Sequence, residues 1–446
     1  METRSGVRPE RLTHSRVLKI ALPIVISNAT VPLLGVVDTG VVGQMGEAAP
    51  IGAVGLGAII LSAIYWLFGF LRIGTVGLTS QAIGAGNRPE ADAILTRAML
   101  IGGAGGLLLI LGQWPIFWAA LELAPASPEV EDLVRDYMSI RVFSAPAAIA
   151  IFGITGWLIA AERTRAVLGL QLWMNGLNIA LNFLFVLSFG WGVEGVAWAT
   201  FLAEWSGLAL GLFFCRDVIP RGYWNRWTQV FDANRLLRLA EVSRDVLIRN
   251  VLLEAVFVSF LFVGSDFGDV ELAANQILLQ FLHVTAYAMD GFAFAAEALV
   301  GQAMGAGARD RFRRSAVLTS IWGFGIAAAL AAGFAIGGGL VIDIMTTSEP
   351  VRSEARTSLF WMVAAPIVGS PAWMFDGIFI GATRTKDLRN MMAISTSIYF
   401  VALIGLVPAF GNHGLWIALL VSFAARGATL GMKYPALEAD VGAARA

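Results

Sequence analysis

Asp38 is the only ionisable residue between Lys19 and Glu47, and its neighbours are valines, a threonine and a glycine. A carboxyl in such a setting can hold and release a proton or bind a cation. It is also costly enough in an apolar medium to imply a purpose. Pro32 stands six residues earlier. Within a helix, proline lacks an N–H and presses on the carbonyl four residues back, here that of Asn28. The segment carrying Asp38 is therefore predisposed to bend beside its one acid. Asn175, Asn178 and Asn182 recur at i, i+3 and i+7, so they share one helix face. Amides there can donate to a carboxylate and tune its protonation.

Four further acids, Glu204, Asp290, Glu297 and Asp376, also lie in apolar surroundings. Asp290 and Glu297 are seven residues apart and share a helix face. Each of the four either belongs to a polar site or pairs silently with a polar neighbour. Asp245 and Arg249 stand at i, i+4, a spacing that suits either a cytoplasmic gate or a plain interfacial ion pair. The three histidines are His14, His283 and His413. They are too scattered to form a metal site, and no cofactor is expected.

These residues need elements to hold them, and composition says which. Of 446 residues only 14% are charged and 57% are hydrophobic, against about 25% and 45–50% in an ordinary soluble chain. Mean hydropathy is +0.72. A soluble core of this size does not hide so much apolar surface. The lone Cys215 excludes a disulfide scaffold. A net charge of −1 leaves no basic excess for nucleic acid. The chain reads as an all-α integral membrane protein.

Apolar runs recur near residues 20–45, 50–72, 93–120, 133–160, 166–189 and 192–215, and again near 246–264, 271–300, 315–345, 357–381, 388–410 and 414–432. Each is long enough to cross a bilayer, which gives twelve transmembrane helices. Asp38 lies 18 residues beyond Ile20, or about 27 Å along its span, and Asn182 reaches a comparable depth. Basic residues test the span count. On it, 25 of the 31 Lys and Arg side chains fall on one side, Arg97 and Arg426 among them. The alternate connections hold only Arg135, Arg141, Arg352 and Arg356, with Arg72 and Arg249 in or near spans. Both termini are therefore expected in the cytoplasm. The polar stretch 216–241 suits a cytoplasmic, amphipathic linker. It separates an N-lobe, 1–215, from a C-lobe, 242–446.

The two parts repeat. Leu78–Arg88 (LTSQAIGAGNR) matches Leu299–Arg309 (LVGQAMGAGAR) at seven of eleven positions, an offset of 221 residues. Gly156–Arg165 matches Gly377–Lys386 at the same offset, at Gly156, Ile159, Ala161, Arg163 and Thr164. Six spans per repeat is an even number, so the lobes are parallel repeats about an axis along the membrane normal. A site between two such lobes can open to one side and then the other. No GxxxxGK[ST] motif offers ATP drive.

The ordered marks ALPIVISNATVPLLGVVDT, YWLFGFLRIGTVGLTSQAIGAG, NIALNFLFV, GVEGVAWATFLAEW, RDVLIRN and TAYAMDGFAFAAEALVGQAMGAG resemble the multidrug and toxic compound extrusion family, in its DinF-like branch. The resemblance runs along nearly the whole chain. It implies two six-helix lobes around a central cleft, and antiport of cationic amphiphiles against protons or sodium. By resemblance Asp38 is the N-lobe coupling aspartate, with a proline-linked bend accompanying its protonation. Asp290 belongs to an eighth-helix motif, and Asp376 matches a tenth-helix aspartate of other branches. The family commonly carries a second carboxylate where this chain has Asn182. An amide neither takes up a proton nor supplies charge, so H+ is favoured over the alternative, Na+.

The expected function is cation-coupled export of an organic cation or amphiphile by a monomeric, multi-pass protein of the plasma (inner) membrane, in contact with lipid. A flippase for a lipid-linked or amphipathic metabolite is the alternative. Such a protein needs a central basic cluster for phosphates, whereas the ionisable groups read here as mid-membrane are acids. No catalytic grouping supports an enzyme. The aromatic and methionine content (14 Trp, 28 Phe, 13 Met) suits an adaptable apolar cavity.

Overall fold

The computed structural model describes residues 12–44, 48–124, 126–218 and 227–442. The arginines at 4, 8 and 11 and the linker positions 219–226 lie outside these. No strand occurs among the described residues. The N-lobe contains α1 (His14–Ala29), α2 (Val31–Gly43), α3 (Ala48–Trp66), α4 (Phe70–Gly84), α5 (Arg88–Leu111) and α6 (Gln113–Leu123), then α7 (Pro128–Arg141), α8 (Ala145–Ala160), α9 (Thr164–Asn182) and α10 (Gly192–Phe214). A short α11 (Trp227–Val230) precedes the C-lobe helices α12 (Ala233–Ser265), α13 (Asp269–Gly305), α14 (Arg309–Met345), α15 (Glu349–Gly381) and α16 (Thr385–Ala439). The expected linker 216–241 is thus partly helix. From Ala233 the chain already forms the helix that becomes the seventh span.

Ten segments of the described chain are each long and apolar enough to cross a membrane. The twelve-span reading is recovered at the two ends. The first span is divided into α1 and α2, and neither half alone is long enough. The 55-residue α16 breaks at Gly411, where φ is 56°. Arg384 and Asp440, which flank it, are ion-paired, so the chain has doubled back and α16 supplies two spans. Large apolar side chains face outward, among them Ile336 at 90% exposure, while asparagines, arginines and acids are buried. That inversion of a soluble protein is what a hydrocarbon solvent selects.

Packing repeats with the sequence. In the N-lobe α8 packs against α4 and α5; in the C-lobe α15 packs against their counterparts α13 and α14. Three large apolar cores result, beside a small cluster of Ala82, Ala91 and Ile94. One belongs to the N-lobe, around Val54, Met138 and Val196. One belongs to the C-lobe, around Phe260, Tyr399 and Trp416. The third joins both lobes in the half nearer the described chain ends, and includes Ile24, Trp157, Met289 and Phe379. The lobes are therefore fused at this terminal half and have separate cores in the distal half.

The repeated motif makes the joint. Gln81 Nε2 donates to the Gly381 carbonyl at 3.2 Å and to Thr383 Oγ1 at 2.9 Å. One repeat offset further on, Gln302 Nε2 donates to the Ala160 carbonyl at 3.0 Å. The helices cross so closely that a Cβ on Gly84 would overlap the Gln302 carbonyl, and one on Gly305 would overlap that of Gln81. Glycine is required here by the close approach of two backbones. Gly84→Val and Gly305→Val are each expected to destabilise the protein by about 1–3 kcal/mol, read as a lower thermal unfolding midpoint in detergent. Gly103→Val, at a position with open space around it, should leave the midpoint nearly unchanged.

Candidate functional site

The first site forms where the first span is broken. α1 ends at Ala29, and α2 takes Pro32 into its first turn, where the missing N–H costs least. Thr30 between them tightens the end of α1: its N–H and hydroxyl both reach the Ser27 carbonyl, at 3.1 and 2.7 Å. The asparagine face of α9 then braces both sides of the break. Asn175 Nδ2 donates to Thr30 Oγ1 at 2.9 Å and lies 3.3 Å from its carbonyl. Asn182 Nδ2 donates to Asp38 Oδ1 at 2.5 Å and to Asn178 Oδ1 at 2.9 Å. Asn178 Nδ2 donates to the Thr200 hydroxyl of α10 at 2.8 Å, and that hydroxyl donates to the Val196 carbonyl. Asn178 and Asn182 are 1% and 0% exposed. The chain of bonds leaves Asn182 Oδ1 without a partner. Directly after Asn182 the helix widens into a π-turn over Phe183–Ser188, a form common at functional positions.

Glu204 does not join this network. Its carboxylate pairs with Arg141 at 2.7 Å, and Arg141 is also held by Ser144 Oγ at 2.6 Å. Both ionised groups are buried or nearly so. The count of basic residues places Arg141 in a connection, but it ends α7 inside the fourth span. There the helix tightens over Val142–Ser144 before Pro146 restarts it as α8.

The C-lobe acids meet in a cavity of about 570 Å³ between the lobes, lined by Asp290, Glu297 and Asp376 and by Glu254. Asp38 is not among its lining residues. Glu297 is 1% exposed and pairs with Arg72 of α4 at 3.0 Å across the lobe boundary. Arg72 also lies 3.9 Å from the centre of the Phe294 ring. Arg249 donates to Asp376, and Arg426 stands 3.9 Å from the same carboxylate.

Asp245 and Arg249 do not pair with each other. Arg249 turns into the cavity to Asp376, while Asp245 is held by Arg389 at 2.7 Å and faces Thr385 and Arg244. Each finds a closer partner on another helix, all within the C-lobe, so the pair makes no bridge between lobes. Nor are the central ionisable groups acids only, since Arg72, Arg249 and Arg426 line the cavity. The case against anionic cargo does not hold. Arg426 was assigned to a terminal-side loop, and Arg97 likewise. Arg97 is in fact buried, and donates to the Val230 and Gln229 carbonyls that end α11. Arg97 also pairs with Glu90, seven residues back on its own helix, at 2.8 Å. Of the missed arginines only Arg426 carried a sequence signal, having no acid within ten residues on either side, so that a buried position needs a distant partner.

A twelve-helix, two-lobe membrane fold with a cavity at the lobe boundary defines a transporter class, and the comparisons agree. The MatE family model matches the chain twice, over residues 23–184 and 247–404. The chain belongs to that family of membrane transporters. It is 36% identical to DNA damage-inducible protein F of Escherichia coli over 92% of this chain and 90% of that one, which meets the expected DinF-like branch. It is 23% identical to a probable multidrug resistance protein NorM of Chromobacterium violaceum, over 96% and 95% of the two chains. Its fold matches a Vibrio cholerae MATE transporter in the bent form with a TM-score of 0.87, at 19% identity over 96% of this chain and 98% of that one. An outward-facing multidrug resistance MATE transporter superposes with a TM-score of 0.82, at 18% identity over 98% and 99%.

The Arg141–Glu204 pair gives a direct test of burial. Arg141→Met leaves a buried carboxylate uncompensated and is expected to cost about 3–5 kcal/mol. The double variant Arg141→Met/Glu204→Met should recover most of that loss, as measured by thermal unfolding in micelles.

Proposed function

We propose that the chain is a proton-coupled antiporter that exports small amphiphilic organic compounds across the plasma (inner) membrane by alternating access, with both termini cytoplasmic. The observation that carries this is a single carboxylate, Asp38, held by the Asn182–Asn178–Thr200 chain just beyond the break in its own span. One carboxyl bonded to neutral amides can take one proton. It offers a bare sodium ion few anionic ligands, which favours H+ over Na+.

Coupling needs a path from Asp38 to the cavity, because the two do not touch. α1 is suited to be that path. Asn28 Nδ2, at its end, donates to the Tyr287 carbonyl of α13 at 3.2 Å. Gly291 of α13 lies so close to Val25 and Ala21 that a Cβ there would overlap them. Asp290, adjacent to Gly291, lines the cavity. Protonating Asp38 weakens its grip on Asn182, freeing α2 to change its angle to α1. α1 then bears on α13 beside Asp290. With the terminal half cytoplasmic, the fused lobes close that side and the cavity faces outward. Asp290 and Glu254 offer places for a cationic group on the cargo. The flippase alternative differs only in cargo, and the arginines of the cavity keep it in play.

In proteoliposomes, an imposed pH gradient without sodium is expected to drive ethidium efflux. Asp38→Asn should lower that flux at least about tenfold, as loss of a transition worth 1.4 kcal/mol or more would, with folding intact. Asn182→Asp should add a second titrating group to the pH profile. Pro32→Ala, which restores an N–H for Asn28, should reduce transport more than stability. Efflux driven by sodium alone would overturn the proton reading.

A further inference from the structure

At one end of the cavity two arginines, Arg249 and Arg426, share a single ion-pairing carboxylate among the described residues. Asp376 stands between two guanidiniums. Arg249 donates to its Oδ2, and the terminal nitrogen of Arg426 lies 3.9 Å from that same atom. That separation is too long for a hydrogen bond. Arg426 is 4% exposed and makes no other ion pair among the described residues. Among the described residues its Nε has no hydrogen-bond partner, and neither does Arg249 Nε or Asp376 Oδ1. Besides Asp376, the Phe423 ring lies 5.7 Å from the guanidinium carbon of Arg426. Arg72, by contrast, has a close carboxylate in Glu297, at 3.0 Å, and the Phe294 ring 3.9 Å away. Glu254, Asp290 and His283 line the same cavity but do not pair with Arg426.

An arginine does not shed its charge on burial, and a buried guanidinium with unused donors is expensive unless something binds it. Other buried arginines of this chain have solved the problem with a close carboxylate or with carbonyls. Arg426 has donors to spare and faces a space of about 570 Å³, within the range that holds a drug-sized ligand. Beside it the wall is aromatic, with Phe257, Phe294, Trp373 and Phe423.

We propose that Arg426, with Arg249, forms an anion subsite of the cavity that takes the carboxylate of an acidic amphiphile while the aromatic wall takes its apolar body. Asp376 occupies part of that subsite as an internal anion when no cargo is bound. It orients Arg249 and leaves the donors of Arg426 open. The range of cargo then extends from cations to acids and zwitterions. This rests on reading the cavity as the cargo chamber, but not on the coupling ion.

The test is binding to the full chain in lipid nanodiscs, with two fluorescent probes that differ only in charge: dansylglycine and its uncharged amide, dansylglycinamide. The acid is expected to bind on the order of tenfold more tightly, as one charge-assisted pair supplies. Arg426→Gln should erase the difference while leaving amide binding in place, and Arg426→Lys should restore part of it. Asp376→Asn removes the competing internal anion and should strengthen binding of the acid severalfold, an outcome that misfolding cannot imitate. Equal affinities, binding of neither probe, a preference that survives Arg426→Gln, or weaker acid binding in Asp376→Asn would each overturn the subsite. A preference for the acid without pH-driven ethidium flux would support the subsite and overturn the proton reading. Flux with no preference would overturn the subsite alone.

Discussion

A helix in hydrocarbon must satisfy its own backbone, and at four places where this chain breaks or ends a helix a side chain from another helix makes good the loss. At the break between α1 and α2, Asn175 reaches the Thr30 backbone and hydroxyl. Where α7 gives way to α8, Tyr65 donates to the Arg141 carbonyl at 2.9 Å. Where the fourth and tenth spans end, Gln302 and Gln81 reach the Ala160 and Gly381 carbonyls from the opposite lobe. Irregular backbone is what lets a span change direction. These donors decide where it is tolerated, and they gather around the Asp38 network, the Arg141–Glu204 pair and the lobe joint.

The lobes share a fold but not a charge pattern. One repeat offset beyond Asp38 stands Ser259, and beyond Asn178 stands Tyr399. Asp38 and Asn178 are joined through Asn182, whereas these counterparts meet directly, with Ser259 Oγ 3.3 Å from the Tyr399 hydroxyl. A carboxylate braced by amides in one lobe is therefore matched by two neutral hydroxyls in the other. Ionised groups of the C-lobe sit lower, at the lobe boundary, and are largely tied up as Arg–acid pairs. On the proposed mechanism the division would give a titratable site to one lobe and a charged binding wall to the other, with α1 packed against both α9 and α13.

Much of this was legible from residue spacing. The i, i+3, i+7 asparagines share a face because helix geometry requires it, and their depth matched that of Asp38, so their meeting needed no knowledge of the tertiary fold. Pro32 marked the break for a similarly local reason. The arginines were less legible. A count of basic residues cannot tell a side chain bound for water from one turned inward to a distant partner. The acids facing Arg141 and Arg426 are 63 and 50 positions away in sequence, and Arg97, which pairs locally with Glu90, is covered by carbonyls 132 and 133 positions on. The same distance defeated the i, i+4 reading of Asp245 and Arg249, since a local pairing rule holds only when no better partner is packed against the helix.

The crossing of α4 and α13 has the geometry of a two-fold homodimer interface: residue i touches j, and the repeat counterpart of j touches that of i. Within one chain this carries an evolutionary consequence. Elsewhere the lobes can drift independently, as Asp38 and Ser259 have done. At the crossing, Gln81 and Gly84 form one wall of a contact whose other wall is their own duplicate, Gln302 and Gly305. Neither copy can enlarge without displacing the other. The motif is therefore held in register with itself, a constraint that fits the persistence of LTSQAIGAGNR and LVGQAMGAGAR as siblings, as it does for the segments beginning at Gly156 and Gly377, whose Ala160 and Gly381 carbonyls Gln302 and Gln81 reach.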